Sequence, residues 1–211
     1  WGPGIIDPYN SERWEGVQKV VGFGISSFDM YHTYLTLKPK RPGRRRVVVG
    51  CTSLVETLNI IQAANRFRAI GRMIYDRFAY LDKDLKVIPW AMESWQRSGD
   101  REFIIKMRAG MTFHDGKPVT VQDVKFSLDF LVRYDRGFFW TANQYLVSTE
   151  ILSEADRTLK LTFKQPYGQF ESYFLLLNVI LPKHIWETIL VDQKVGDDPR
   201  ALRFEKPIGS G

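Results

Sequence analysis

Phe113-His114-Asp115-Gly116-Lys117-Pro118-Val119-Thr120-Val121-Gln122-Asp123-Val124-Lys125-Phe126-Ser127 is the stretch whose reading decides the fold. Asp115-Gly116 is a turn pair: Asp bonds nearby backbone, and Gly accepts positive φ without a Cβ clash. Pro118 disfavours helix at the residue before it. Thr120 then serves as an N-cap, and Asp123, three residues on, completes a capping-box pattern. Behind the cap, Val121, Val124, Leu128 and Leu131 recur at helical spacing, which predicts one buried face on a helix over 120–134. The unit reads as strand, tight turn, capped helix.

Working outward, Phe103, Ile105 and Met107 alternate with polar or exposed positions and predict a strand over 102–108, with another over 86–89. Residues 147–152 and 158–164 predict a hairpin around Glu154-Ala155-Asp156-Arg157. Its second strand places Leu159, Leu161 and Phe163 inward and Lys160, Thr162 and Lys164 outward. Phe67, Ile70, Ile74 and Phe78 share helical spacing and predict a helix over 63–80. Residues 47–51 read as a short buried strand holding Cys51. Pro166 and Pro182 suit the first turns of two more helices, ending near Asn178 and Leu190. Together these elements predict an α/β fold, a small mixed sheet flanked by the helices 63–80 and 120–134.

The chain has 211 residues, 44% of them hydrophobic, enough for one sizeable core or two small lobes. No apolar run approaches the roughly 20 residues that span a bilayer. Trp1-Gly2-Pro3-Gly4 lacks the basic-then-apolar order of a signal peptide. Arg44-Arg45-Arg46 precedes an apolar run too short for a lipoprotein signal. The single cysteine excludes an internal disulfide and any multi-cysteine metal site. Much of the net charge of +6 sits in Lys38-Pro39-Lys40-Arg41-Pro42-Gly43-Arg44-Arg45-Arg46. A charge run with Pro and Gly reads as a solvated linker; contact with nucleic acid or anionic lipid is the alternative.

No catalytic constellation emerges. His32, His114 and His184 are far apart, and none has the i, i+4 partner of a zinc helix. His114 beside Asp115 reads as a turn residue whose imidazole caps a backbone group near Gly116. Gly22-Phe23-Gly24 lacks the third glycine of a dinucleotide loop. Asp82 and Asp84 read as a surface turn. Three consecutive aromatics, Phe138-Phe139-Trp140, point in different directions, so helix amphipathicity does not explain them. Two readings stand: core packing of a loop, or the wall of a ligand cleft.

The order of residues in 113–127 resembles the signature of the extracellular solute-binding proteins of family 5, the peptide and nickel receptors of ABC importers. The likeness extends to Met73-Ile74-Tyr75-Asp76-Arg77-Phe78, Pro89-Trp90-Ala91-Met92-Glu93-Ser94-Trp95, Gln165-Pro166-Tyr167 and Ile180-Leu181-Pro182-Lys183-His184-Ile185-Trp186, and it runs from about Arg46 to Gly211. The resemblance implies a periplasmic-binding-protein-like first lobe over 44–211, truncated at Pro207-Ile208-Gly209-Ser210-Gly211, with the second lobe missing. It implies a non-enzymatic receptor that captures oligopeptides, or a related small solute, in the periplasm or outside the cell. Delivery to the permease subunits would follow lobe closure. No cofactor, metal or nucleic acid is implied, and the membrane is reached only through the transporter or an anchor outside this chain.

For the site, the resemblance implies a ligand-contacting aromatic in the loop after the capped helix, hence Phe138, Phe139 and Trp140. The loop around Ala63, Ala64 and Asn65 would form another part of the cleft. Aromatic faces and amide groups are the mixture that side-chain-tolerant peptide recognition needs. Residues 1–43, with Pro8-Tyr9-Asn10-Ser11-Glu12-Arg13-Trp14-Glu15-Gly16, resemble the family's C-terminal tail. A tandem junction, a rearranged gene or an unrelated extension each fits that order. The rival readings of function are a basic nucleic-acid- or membrane-surface-binding protein using 38–46, and a receptor fragment that no longer transports.

Overall fold

Strict alternation builds the sheet at the centre of the molecule. In β4 (Glu102–Met107) and β6 (Thr158–Phe163) every second residue is buried: Phe103, Ile105 and Met107 in one, Leu159, Leu161 and Phe163 in the other. Pairing these two strands antiparallel in register, Phe103 with Leu161 and Ile105 with Leu159, puts all the buried side chains on one face. β3 (Met92–Arg97) and β5 (Leu146–Ser153) complete a four-stranded sheet in the order β3-β4-β6-β5. β1 (Ala79–Leu81) and β2 (Val87–Pro89) form a separate two-stranded sheet. The computed structural model describes residues 58–62, 71, 74–82, 84–134, 138–192, 201–204 and 206–210.

The capped turn forms as its residues dictate. Gly116 has φ +85, and the Phe113 amide donates to the Lys117 carbonyl at 2.8 Å. Asp123 Oδ2 accepts from both the Thr120 amide (2.9 Å) and the Thr120 hydroxyl (2.6 Å), which closes the capping box at the start of α1 (Val121–Tyr134). The other Asp123 oxygen accepts from the Lys183 amide at 3.0 Å, so one carboxylate caps two helices. The second is α4 (Lys183–Asp192). Val121, Val124, Leu128 and Leu131 are all buried, and α1 packs on β5 and β6. From its outer side Lys125 Nζ reaches the Thr149 carbonyl of β5 (2.8 Å) and Asp129 (2.7 Å).

Two apolar clusters result. One lies under the sheet, where Phe163, Phe170 and Phe174 interlock with Phe103, the Phe103 and Phe170 rings stacked at 3.8 Å. The other gathers Ile61, Tyr75, Phe130, Phe139, Leu181, Trp186 and Leu202. Ser127 joins them: its hydroxyl accepts from the Leu181 amide at 2.8 Å and donates to the Asp123 carbonyl at 2.6 Å.

Several expectations are corrected. The strand pairs among the described residues are all antiparallel, so the sheets are not mixed, and 87–89 pairs with 79–81 rather than joining the main sheet. Within the predicted helix 63–80, Gly71 and Ile74 are helical, but Ala79–Leu81 is β1. Ile74 and Phe78 belong to different clusters, so their helical spacing marks no common face. The helix expected from Pro166 begins only at a π-helical turn, Phe170–Phe174, followed by α3 (Leu175–Leu177), because Tyr167 first turns its ring onto Phe163 at 4.9 Å. Asp82 and Asp84 form the expected surface turn, Asp82 Oδ1 accepting from the amides of Asp84 and Lys86. The strand 47–51, the basic stretch 38–46 and the tail-like 1–43 lie outside the described residues.

Candidate ligand-contact site

The aromatic triplet falls in a short helix, α2 (Phe138–Asn143). Phe139 is 3% exposed and packs in the Trp186 cluster, whereas Trp140 is 38% exposed. Of the two readings of this triplet, core packing describes Phe139 and a surface position describes Trp140. Burying Phe139 fixes the roll of the helix and so turns Trp140 outward. The side chain of Phe138 lies outside the described residues, as do Ala64 and Asn65.

Three polar contacts tie α2 down. Asn143 Nδ2 donates to Asn178 Oδ1 at 2.6 Å and to the Phe139 carbonyl at 2.9 Å, all inside the core. The Tyr167 hydroxyl donates to the Ala142 carbonyl at 3.2 Å. Burial, with Tyr173 and Tyr145 nearby, pushes the Tyr167 phenol up to about 12, so it keeps its proton. On the exposed side, Thr141 Oγ1 and the Tyr173 hydroxyl lie 2.9 Å apart. The sequence reading singled out neither Tyr173 nor Asn143. Their partners stand 32 and 35 residues away, and no local pattern announces such a pair.

A second polar corner was also invisible in the sequence. His184 Nε2 donates to Asp115 Oδ2 at 2.7 Å across 69 residues, and this bond holds the Asp115 carboxyl below the usual carboxylate range. His114 does not cap a group near Gly116 as expected. Its Nδ1 accepts from the Gly209 amide at 3.3 Å, and its own amide donates to the Gly209 carbonyl at 2.8 Å. Gly209 crosses the backbone so closely that an added Cβ would overlap the Ile74 carbonyl. This corner fastens the turn 113–118 to α4 and to 207–210. An open groove of about 450 Å³ separates α1 from α4, and its Lys125 and Lys183 each pair with an acid on their own helix. Among the described residues its lining includes neither Phe139 nor Trp140.

Fold and site together define a class: an α/β lobe whose antiparallel sheet and capped helix support a core-anchored helix with an aromatic at the surface. The model of bacterial extracellular solute-binding proteins, family 5 (middle), matches residues 86–211, and the chain belongs to this family. Its members are solute receptors rather than enzymes. Over 144 residues, 67% of the chain, it is 31% identical to the oligopeptide-binding protein AppA of Bacillus subtilis, covering 26% of that protein. The structure of that AppA in complex with a nonapeptide superposes with a TM-score of 0.57 at 30% identity, covering 67% of this chain and 28% of AppA. NikZ from Campylobacter jejuni in complex with Ni(L-His) gives a TM-score of 0.56 at 26% identity, covering 65% of this chain and 26% of NikZ. The chain spans about a quarter of the length of the curated relatives it matches.

Proposed function

We propose that this chain forms part of the substrate-binding component of an ABC importer that captures oligopeptides outside the cytoplasmic membrane and passes them to the permease by lobe closure. The observation that carries the reading is the split within one helix, Phe139 sunk in the core and Trp140 38% exposed beside it. A rigidly held indole gives broad apolar contact at small entropic cost and accepts many side chains, which suits a receptor for varied peptides. Ala64, Asn65 and Phe138 are assigned to the same wall by resemblance, and the periplasmic or extracellular location follows from the same reading. AppA, bound to a nonapeptide, supports the peptide class; NikZ, bound to Ni(L-His), is the relative that argues for a smaller ligand.

The test is calorimetric titration of the intact protein with an equimolar pool of tetrapeptides, and of the Trp140→Ala variant beside it. The expected result is binding by the parent, weakened about tenfold or more in the variant, in the range of a lost aromatic anchor. Undiminished binding by Trp140→Ala would remove α2 from the site. Binding of a nickel–histidine complex with no response to peptides would overturn the substrate class.

A further inference from the structure

We propose that Tyr173 is a second ligand-contact residue beside α2, its hydroxyl accepting a main-chain N–H of a bound peptide; this rests on the assignment of Trp140 to the ligand wall. The argument starts from the π-helical turn. Phe170 and Phe174 are both fully buried and stack on each other at 5.4 Å, 15° from parallel. The Leu175 amide donates to the Phe170 carbonyl, the i to i+5 bond of a π-helix. Such turns are rare, cost regular geometry and are frequent at functional sites. Here the two inward phenylalanines leave Tyr173 facing out, half-buried, towards the exposed side of α2.

Chemistry distinguishes Tyr173 from its neighbour Tyr167. Tyr167 is 6% exposed and spends its hydroxyl proton on the Ala142 carbonyl, so packing and one internal bond explain it. Tyr173 meets Thr141, the residue directly after Trp140, through a hydroxyl–hydroxyl contact of 2.9 Å. A hydroxyl has one proton and two lone pairs. Whichever of the two donates, Tyr173 keeps an acceptor lone pair on the exposed side of the helix that carries Trp140. A peptide amide N–H is the donor that every residue but proline offers there, whatever its side chain. An aromatic face and a hydroxyl acceptor presented from the same exposed side of α2 would therefore read the backbone and tolerate the sequence.

The experiment compares the intact parent protein with Tyr173→Phe and Trp140→Ala, each titrated with two probes. The first is an equimolar tetrapeptide pool; the second is the same pool N-methylated at every internal amide. Tyr173→Phe keeps the ring, so its melting temperature is expected to match the parent's. Its affinity for the plain pool is expected to fall about three- to tenfold, one net hydrogen bond. It is also expected to discriminate between the two pools less than the parent does by the same factor. If Tyr173→Phe binds and discriminates as the parent does while Trp140→Ala loses affinity, this inference falls and the cleft reading stands. If Trp140→Ala also binds as the parent does, the reading beneath it falls too. A lowered melting temperature with unchanged affinity assigns Tyr173 a packing role and overturns the proposal.

Discussion

The core under the sheet rests on strand ladders, two hairpins joined through the long-range β4–β6 pair, whereas the core around Trp186 is stitched by single side chains between segments as distant as Asn59 and Leu202. In the first, the strand ladders satisfy the backbone and the aromatic rings meet in stacked and edge-on pairs. In the second, single side chains make the junctions: Asn59 Nδ2 donates to the Leu202 carbonyl at 3.2 Å, and Ser127 holds the Leu181 amide. There Tyr75 Oη and Trp186 Nε1 are buried with no hydrogen-bond partner among the described residues. Burial alone drives the Tyr75 phenol well above the ordinary tyrosine range. A strand ladder fixes many backbone groups at once, whether its strands are near or far in sequence; junctions made by single side chains fix them one at a time.

The sharpest way to break this contrast is Phe163→Ala. Phe163 is 1% exposed and touches Phe103, Tyr167, Phe170 and Phe174, so its loss is expected to cost about 3–5 kcal/mol by urea unfolding. A cost below about 2 kcal/mol would mean that the aromatic cluster closes over the gap and is not the better packed of the two. Next in size is Ser127→Ala, at the joint between the cores. It strands the buried Leu181 amide, an expected loss of about 1–3 kcal/mol, with faster hydrogen exchange at that amide. Unchanged exchange would show that the joint does not depend on this hydroxyl.

Tyr75→Phe goes the other way. Removing a buried hydroxyl that bonds nothing among the described residues is expected to leave stability unchanged or raise it by up to about 1 kcal/mol, and a measured loss of that size would reveal a partner. The smallest effect concerns Asp115. Its pKa is lowered in the folded state, so its contribution is present above the ordinary carboxylate pKa and lost as pH falls through the lower folded value. His184→Gln should move the Asp115 titration back upward in a carboxyl-detected NMR series; an unmoved titration would assign the shift to the Lys117 amide instead.

The same division explains what was legible in advance. β4, β6, the hairpin at 154–157 and the capped helix follow from spacing within a dozen residues, and they stand where the sequence put them. β3 escaped notice because only Met92 is fully buried along it, so no alternation marks a strand. β1 was hidden in a run whose spacing mimics a helix. At the site, the sequence marks the triplet Phe138-Phe139-Trp140 as a unit, but only the packing of α2 separates Phe139 as anchor from Trp140 at the surface. Tyr173, Asn143 and the Asp115–His184 bond depend on partners 32 to 69 residues away, a distance at which residue type carries no signal.

Lys125 bears on the behaviour of the protein in a crowded solution. Among the described residues β5 is the last strand of the sheet order, with Val147 and Leu152 59% and 45% exposed. A strand edge of eight residues can template a strand from another molecule and start aggregation. The ammonium of Lys125 already occupies the Thr149 carbonyl at mid-strand, and an incoming chain would have to displace a charge to complete its ladder. A residue that helical periodicity marks only as solvent-facing thus occupies a main-chain acceptor that a foreign strand would need.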